Sequence, residues 1–258
     1  MTSVFHRNAS KLTLNFVRMA LAGLSVGVAL AGAKADEKPM VLELFTSQGC
    51  SSCPPADALL KKIATKPNVV AVSLPVDYWD YIGWKDTFAS AQFTARQRAY
   101  AKTRGDGHVY TPQIVVNGLA HAVGSDNAEI EKVATSVLGQ KGSLTVDLKM
   151  REENGKLIAD IGAAPAGTPD TAALVLLLVA RDRTVMVGRG ENAGKTLGYT
   201  NVVRQMTKVG DWNGVAKRIE IPASELMLPD TDGYVLFLQV GTVAWPGSVL
   251  AAAKSKGL

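Results

Sequence analysis

The chain has only two cysteines. They stand three residues apart in Gly49-Cys50-Ser51-Ser52-Cys53-Pro54-Pro55. The residues before them, 41–45, form a short apolar run. Those after them carry Ala56, Leu59, Leu60 and Ile63 at helical spacing, which predicts a helix over residues 54–65. A pair so close can close a small ring and little else. Its position at a strand-to-helix junction puts it where unpaired helix N–H groups and the positive end of the helix dipole lower a thiol pKa. Cys50, at the loop end, is expected to be the exposed nucleophile and Cys53 the resolving thiol. Pro54 and Pro55 suit a first helical turn, where a missing N–H is harmless and φ is already set.

Two cysteines exclude a multi-disulfide scaffold, and with three histidines they exclude a zinc site of three or four Cys/His ligands that includes a second cysteine pair. A haem attachment site needs histidine after the second cysteine, where Pro54 stands. A purely structural disulfide remains open, although a bridge over so short a loop removes little chain entropy.

The periodicity continues as alternating elements. Residues 69–74 are rich in β-branched side chains and predict a strand, and residues 88–102 predict a helix stopped by Gly105. Residues 114–116 and 119–123 flank Asn117-Gly118 and predict a hairpin with a type I′ turn. Asp126 can cap a last helix that ends before Gly139. The expected order is β-α-β-α-β-β-α. From residue 143 the texture becomes strand-like. Leu144, Val146, Leu148 and Met150 alternate with polar residues, Asn154-Gly155 marks a turn, and residues 157–161, 174–180, 217–221 and 234–240 are further strand candidates.

Hydrophobic residues make up 47% of the 258 residues, enough for a substantial core, and the formal net charge is +5. That charge is misleading as a guide to partners. Arg7, Lys11 and Arg18 precede an uncharged stretch over residues 19–33, followed by Ala31-Gly32-Ala33 and Ala33-Lys34-Ala35, the pattern of a cleaved export signal over residues 1–35. Cleavage after Ala33 leaves +2, so neither a nucleic-acid partner nor stable membrane insertion is expected, and the product is expected in the periplasm or outside the cell.

Strand, Cys-x-x-Cys, helix and a later Tyr110-Thr111-Pro112-Gln113 together resemble the thioredoxin superfamily. More narrowly, residues 42–57, Asp77-Tyr78-Trp79-Asp80-Tyr81 and the Thr111-Pro112 segment resemble a secreted thioredoxin-like family of unknown function, over the whole mature chain. The resemblance implies an α/β thioredoxin-like domain over residues 36–141 and a thiol–disulfide oxidoreductase activity. It also implies a cis proline at Pro112, with Thr111 and Pro112 binding the backbone of a protein client. The remainder, residues 142–258, is expected to be an all-β, sandwich-like domain. No cofactor is needed, because the cysteines carry the electrons. The partners are protein thiols or disulfides and a redox partner that resets the pair.

The sequence departs from thioredoxin where a buried acid is expected. Leu44 holds that position, and the neighbouring Glu43 points to the other face of the strand. Asp77 is a candidate replacement. Trp79, among four aromatics clustered over residues 77–86, is a candidate wall of the client groove, with a covered hydrophobic patch as the alternative. Two other functions stay open. One is a binding module with an inert disulfide. The other is a copper carrier using Cys50, Cys53 and His108, although exported copper chaperones use a wider cysteine spacing. Gly190-Glu191-Asn192-Ala193-Gly194-Lys195-Thr196 is one residue short of a phosphate loop and is expected to be a turn-rich loop.

Overall fold

The computed structural model describes Met1 and residues 39–258. The expected export signal, apart from Met1, lies outside the described residues. Among those residues no helix is long and apolar enough to cross a membrane.

The first part of the chain runs β1 (Met40–Thr46), α1 (Pro54–Ala64), β2 (Val69–Pro75), α2 (Ala91–Arg104), β3 (Gln113–Val116), β4 (Ala120–Val123) and α3 (Asn127–Val137). This is the order read from the sequence. Helix α1 starts with both prolines in its first turn and carries Lys61 and Lys62 in its last, where they face the negative end of the dipole. Helix α2 begins at Ala91, not near residue 88. Ser90 is extended, and its hydroxyl accepts the Gln92 N–H, so the cap fixes the start. In the β3–β4 hairpin both Asn117 and Gly118 have positive φ, as a type I′ turn demands. The Asp126 side chain accepts the Glu129 N–H and caps α3.

Strands β5 (Leu148–Glu153), β6 (Lys156–Ile161), β7 (Ala172–Met186), β8 (Thr196–Trp212), β9 (Lys217–Pro222), β10 (Gly233–Gly241) and β11 (Pro246–Lys254) follow. They do not all form a separate sandwich. β7, β8, β10 and β11 join the earlier strands in one eight-stranded mixed sheet of order β11-β10-β7-β8-β2-β1-β3-β4, while β5, β6 and β9 form a three-stranded sheet. The seam between the halves is narrow. β8 pairs in parallel with β2 at Ser73 and Val202, the Ser73 hydroxyl donates to the Thr200 carbonyl, and the Asn201 amide donates to the Ala71 carbonyl. Residues 39–258 belong to one compact unit.

Strand alternation sorts the core. Leu42 and Leu44 of β1 face Ala56, Leu60 and Ile63 of α1 and Ile130 and Val137 of α3. Val41 and Phe45 face the other way, into a cluster shared by Phe93 and Tyr100 of α2 and Val175, Leu177, Val235, Phe237 and Val249 of the later strands. The alternate residues of β7 and β10, Leu174, Leu176, Leu236 and Leu238, pack against Leu157, Ile161 and Ile221 of the smaller sheet. This last layer is the sandwich-like part of the fold. Each large apolar side chain taken fully out of water contributes about 1.5–3 kcal/mol.

Glu43 does point away from α1. It is buried beneath α2, where Arg96 Nε donates to its Oε2 at 2.6 Å and Nη2 to its Oε1 at 3.2 Å. The Tyr100 hydroxyl also donates to Glu43, and Arg96 Nη2 reaches Gln239 Oε1 on β10 at 2.8 Å. One ion pair thus ties β1, α2 and β10 together.

Candidate functional site

Cys50 and Cys53 are joined as a disulfide at the start of α1. The Cys50 N–H donates to the Ser47 carbonyl and the Cys53 N–H to the Cys50 carbonyl, so the segment is a succession of tight turns leading into the helix. The Ala56 and Asp57 N–H groups donate to the Cys53 carbonyl, which makes Cys53 the residue at which the helix begins.

The expected exposure of Cys50 is corrected. Cys50 is 1% exposed and Cys53 fully buried, while Ser51 and Ser52 face solvent. The covering group is the loop between β7 and β8, the same stretch that superficially resembles a phosphate loop. Asn192, itself buried, donates its side-chain amide to the carbonyls of Cys50 and Gln48 at 2.9 and 3.0 Å, and Glu191 accepts the Ser51 N–H at 3.1 Å. From the other side Trp79 and Ile82 press on Gly49. A Cβ there would lie 3.1 Å from Trp79 Cβ and 3.0 Å from Ile82 Cδ1. Gln48 is held in turn. Its N–H donates to Asp86 and its Oε1 accepts the Trp84 indole N–H, each at 2.8 Å.

The Thr111–Pro112 peptide is cis. Trp79 Nε1 donates to the Thr111 hydroxyl at 2.8 Å. Pro112 comes close to α1 through Gly124, whose N–H donates to the Pro112 carbonyl. A Cβ on Gly124 would sit 3.1 Å from Ala56 and 3.2 Å from Pro112. Cys50, Cys53, Trp79, Thr111 and Pro112, far apart in sequence, therefore converge on one end of α1.

Asp57, one turn beyond Cys53 on the same buried face, is 3% exposed, and neither carboxylate oxygen makes a sound hydrogen bond. Burial pushes its carboxyl up to about 8. The Thr46 hydroxyl offsets only part of this, and the nearby Asp86 adds to it. The buried Tyr199 hydroxyl is also unpartnered, and its pKa is raised by burial and by the Asp57 and Asp86 charges.

The family of proteins of unknown function designated DUF1223 matches residues 41–239. The chain belongs to the DUF1223 family. A protein of Agrobacterium tumefaciens of known crystal structure is 33% identical, with 87% of this chain and 97% of that one covered at a TM-score of 0.73. HBP35 of Porphyromonas gingivalis is 16% identical over 85% of this chain and 75% of its own, at a TM-score of 0.52, and shares the fold alone. No curated protein matches.

In this DUF1223 chain Asp77, the candidate replacement acid read from the sequence, is tied to α2. Its Oδ1 accepts the Thr94 hydroxyl of α2 at 2.5 Å, while the unpartnered buried acid beside the cysteines is Asp57. A helix-register argument could have found Asp57, since a carboxylate four residues after Cys53 falls on the side carrying Leu60 and Ala64. Asn192 had no local signal, because it reaches the cysteines only through the β7–β8 turn. His108 is not gathered with the cysteines. Among the described residues, the group able to hold a metal is Asp106, His108 and His121. A surface cavity of about 930 Å³ is lined by residues that include Met150, Met227, Tyr234 and Lys254 and contains none of the site residues.

Proposed function

We propose that the protein is an exported thiol–disulfide oxidoreductase with a thioredoxin-like redox domain. The observation that carries the reading is the Cys50–Cys53 disulfide at a helix start, with a Thr–cis-Pro segment tied to the same end of the helix through Trp79 and Gly124. The order β2-β1-β3-β4, with β1 parallel to β2 and antiparallel to β3, supports the thioredoxin-like assignment.

In the reducing direction the Cys50 thiolate attacks a client disulfide. One client sulfur leaves as a thiolate and takes a proton, and a mixed disulfide joins Cys50 to the other. Cys53 then loses its proton, attacks the Cys50 sulfur and releases the second client thiolate. The client has gained two electrons and the Cys50–Cys53 disulfide is restored, to be reset by a dithiol donor. Thr111 and Pro112 present backbone to the client, and Trp79 holds Thr111 in place. Asp57, whose Cβ lies about 5–6 Å from that of Cys53 by helix spacing, is the buried carboxyl that exchanges a proton with Cys53, accepting it in the ionised fraction that grows as pH approaches 8. A client reaches the buried sulfurs only after the Asn192 loop lifts.

The test is a Cys53→Ala variant incubated with oxidised proteins of the exported compartment. Client adducts through Cys50, together with insulin reduction by the wild type, are expected. Absence of both overturns the reading. The burial of both cysteines supports a second reading, a binding module with an inert disulfide. It requires that replacing both cysteines by serine leaves client binding intact and that the disulfide resist reduction even when the loop is loosened.

A further inference from the structure

We propose that Asp106, His108 and His121 form a site for a divalent transition-metal cation of the zinc type, separate from the cysteines. Asp106 and His108 lie in the loop after α2, and His121 is on β4. One ligand atom from each lies within 4.8 Å of those of the other two, close enough that a small side-chain movement brings all three to about 2.0–2.2 Å from a shared ion. The imidazole rings of His108 and His121 meet edge to face at 5.4 Å, and His121 Nε2 is 3.4 Å from Asp106 Oδ2. That separation is long for a hydrogen bond, and a cation between the two would replace it.

The surroundings have the form of an outer ligand shell. His121 Nδ1 is 2.8 Å from the Tyr110 hydroxyl. With the proton on Nδ1 donated to that oxygen, the Nε2 lone pair is left for the ion. Asp106 is held from behind. Arg104 Nε and Nη2 donate to its two oxygens at 2.6 and 3.1 Å, the His108 N–H donates to Oδ1 at 2.9 Å, and Arg104 Nη2 also donates to the His108 carbonyl at 3.2 Å. Two imidazoles and one carboxylate, with no thiolate, favour zinc, nickel or copper(II) over copper(I). They leave a fourth position for water. The Arg104 charge opposes the cation, so the affinity expected is micromolar.

Isothermal titration of the untagged, oxidised chain with zinc chloride tests the assignment. Saturable one-to-one binding is expected, weakened at least tenfold in His108→Ala and in His121→Ala, and about tenfold in Tyr110→Phe, which removes the outer-shell oxygen. His108 is exposed, so its alanine variant keeps the test informative should the His121 variant fold poorly. Absence of saturable binding overturns the proposal. So does binding unchanged in His108→Ala, or binding abolished when Cys50 and Cys53 are replaced by serine.

Discussion

Asn192 donates its side-chain amide to the carbonyl oxygen of Cys50 at 2.9 Å, across 142 residues of chain. With its second bond, to the Gln48 carbonyl, it latches the β7–β8 loop over the disulfide. A neutral hydrogen bond contributes about 0.5–1.5 kcal/mol net, and about 1.4 kcal/mol is tenfold in an opening equilibrium. Asn192→Ala should therefore speed reduction of the disulfide by dithiothreitol about tenfold, read by thiol labelling against time. An unchanged rate would mean that the loop is not what limits access.

Asp57 makes stability fall with pH. Its carboxyl titrates near 8 in the folded chain and near 3.8 when unfolded. Between those values the unfolded chain has lost a proton that the folded chain still holds, so folding weakens as pH rises from about 4 to about 8 and levels off above. At about 1.36 kcal/mol per pH unit the penalty reaches on the order of 5 kcal/mol. Urea unfolding should show Asp57→Asn more stable than wild type by several kcal/mol at pH 8, with little difference at pH 4. The same variant should slow release of the mixed disulfide, because Cys53 has lost its base.

Breaking the Glu43–Arg96 pair from one side is a different matter from replacing both partners. Arg96→Met leaves a fully buried carboxylate without its counter-ion and should cost about 3–5 kcal/mol. Adding Glu43→Leu should recover most of that loss. A double-mutant cycle by chemical denaturation measures the coupling, and additive losses would contradict it.

Trp79→Phe keeps the Cβ against Gly49 and removes the bond to the Thr111 hydroxyl. Stability should drop by about 1 kcal/mol. Fewer client adducts should form in the Cys53→Ala background while dithiothreitol reduction stays unchanged. Equal effects on client and small reductant would show that Trp79 shields the sulfurs without shaping the client groove.

Local chemistry made most of the first half readable. The prolines after Cys53, the Asn117-Gly118 turn and Asp126 each fix a boundary through their own backbone, and the structure starts or turns the chain there. What escaped was set by distant partners. Strand β8 went unseen because Gly198, Asn201, Gly210 and Asp211 interrupt its pattern, and it is extended because β7 pairs along its length. Residues 144–147 alternate like a strand, yet Leu144 has φ +54° and its N–H donates to the Val249 carbonyl, so β5 begins at Leu148. The same limit applies at the site. The cysteines could be read directly, whereas the burial of Cys50 depends on a loop 140 residues away.

The narrow β2–β8 seam carries more than pairing. A fragment ending at residue 141 would bare the hydrogen-bonding edge of β2 beside Ser73 and strip Phe93 and Tyr100 of the later strands that cover them. It would also lose the Asn192 latch. Such a fragment would be an adhesive half-molecule, prone to recruit strands from its neighbours, and a well-behaved truncation must carry the chain through β11.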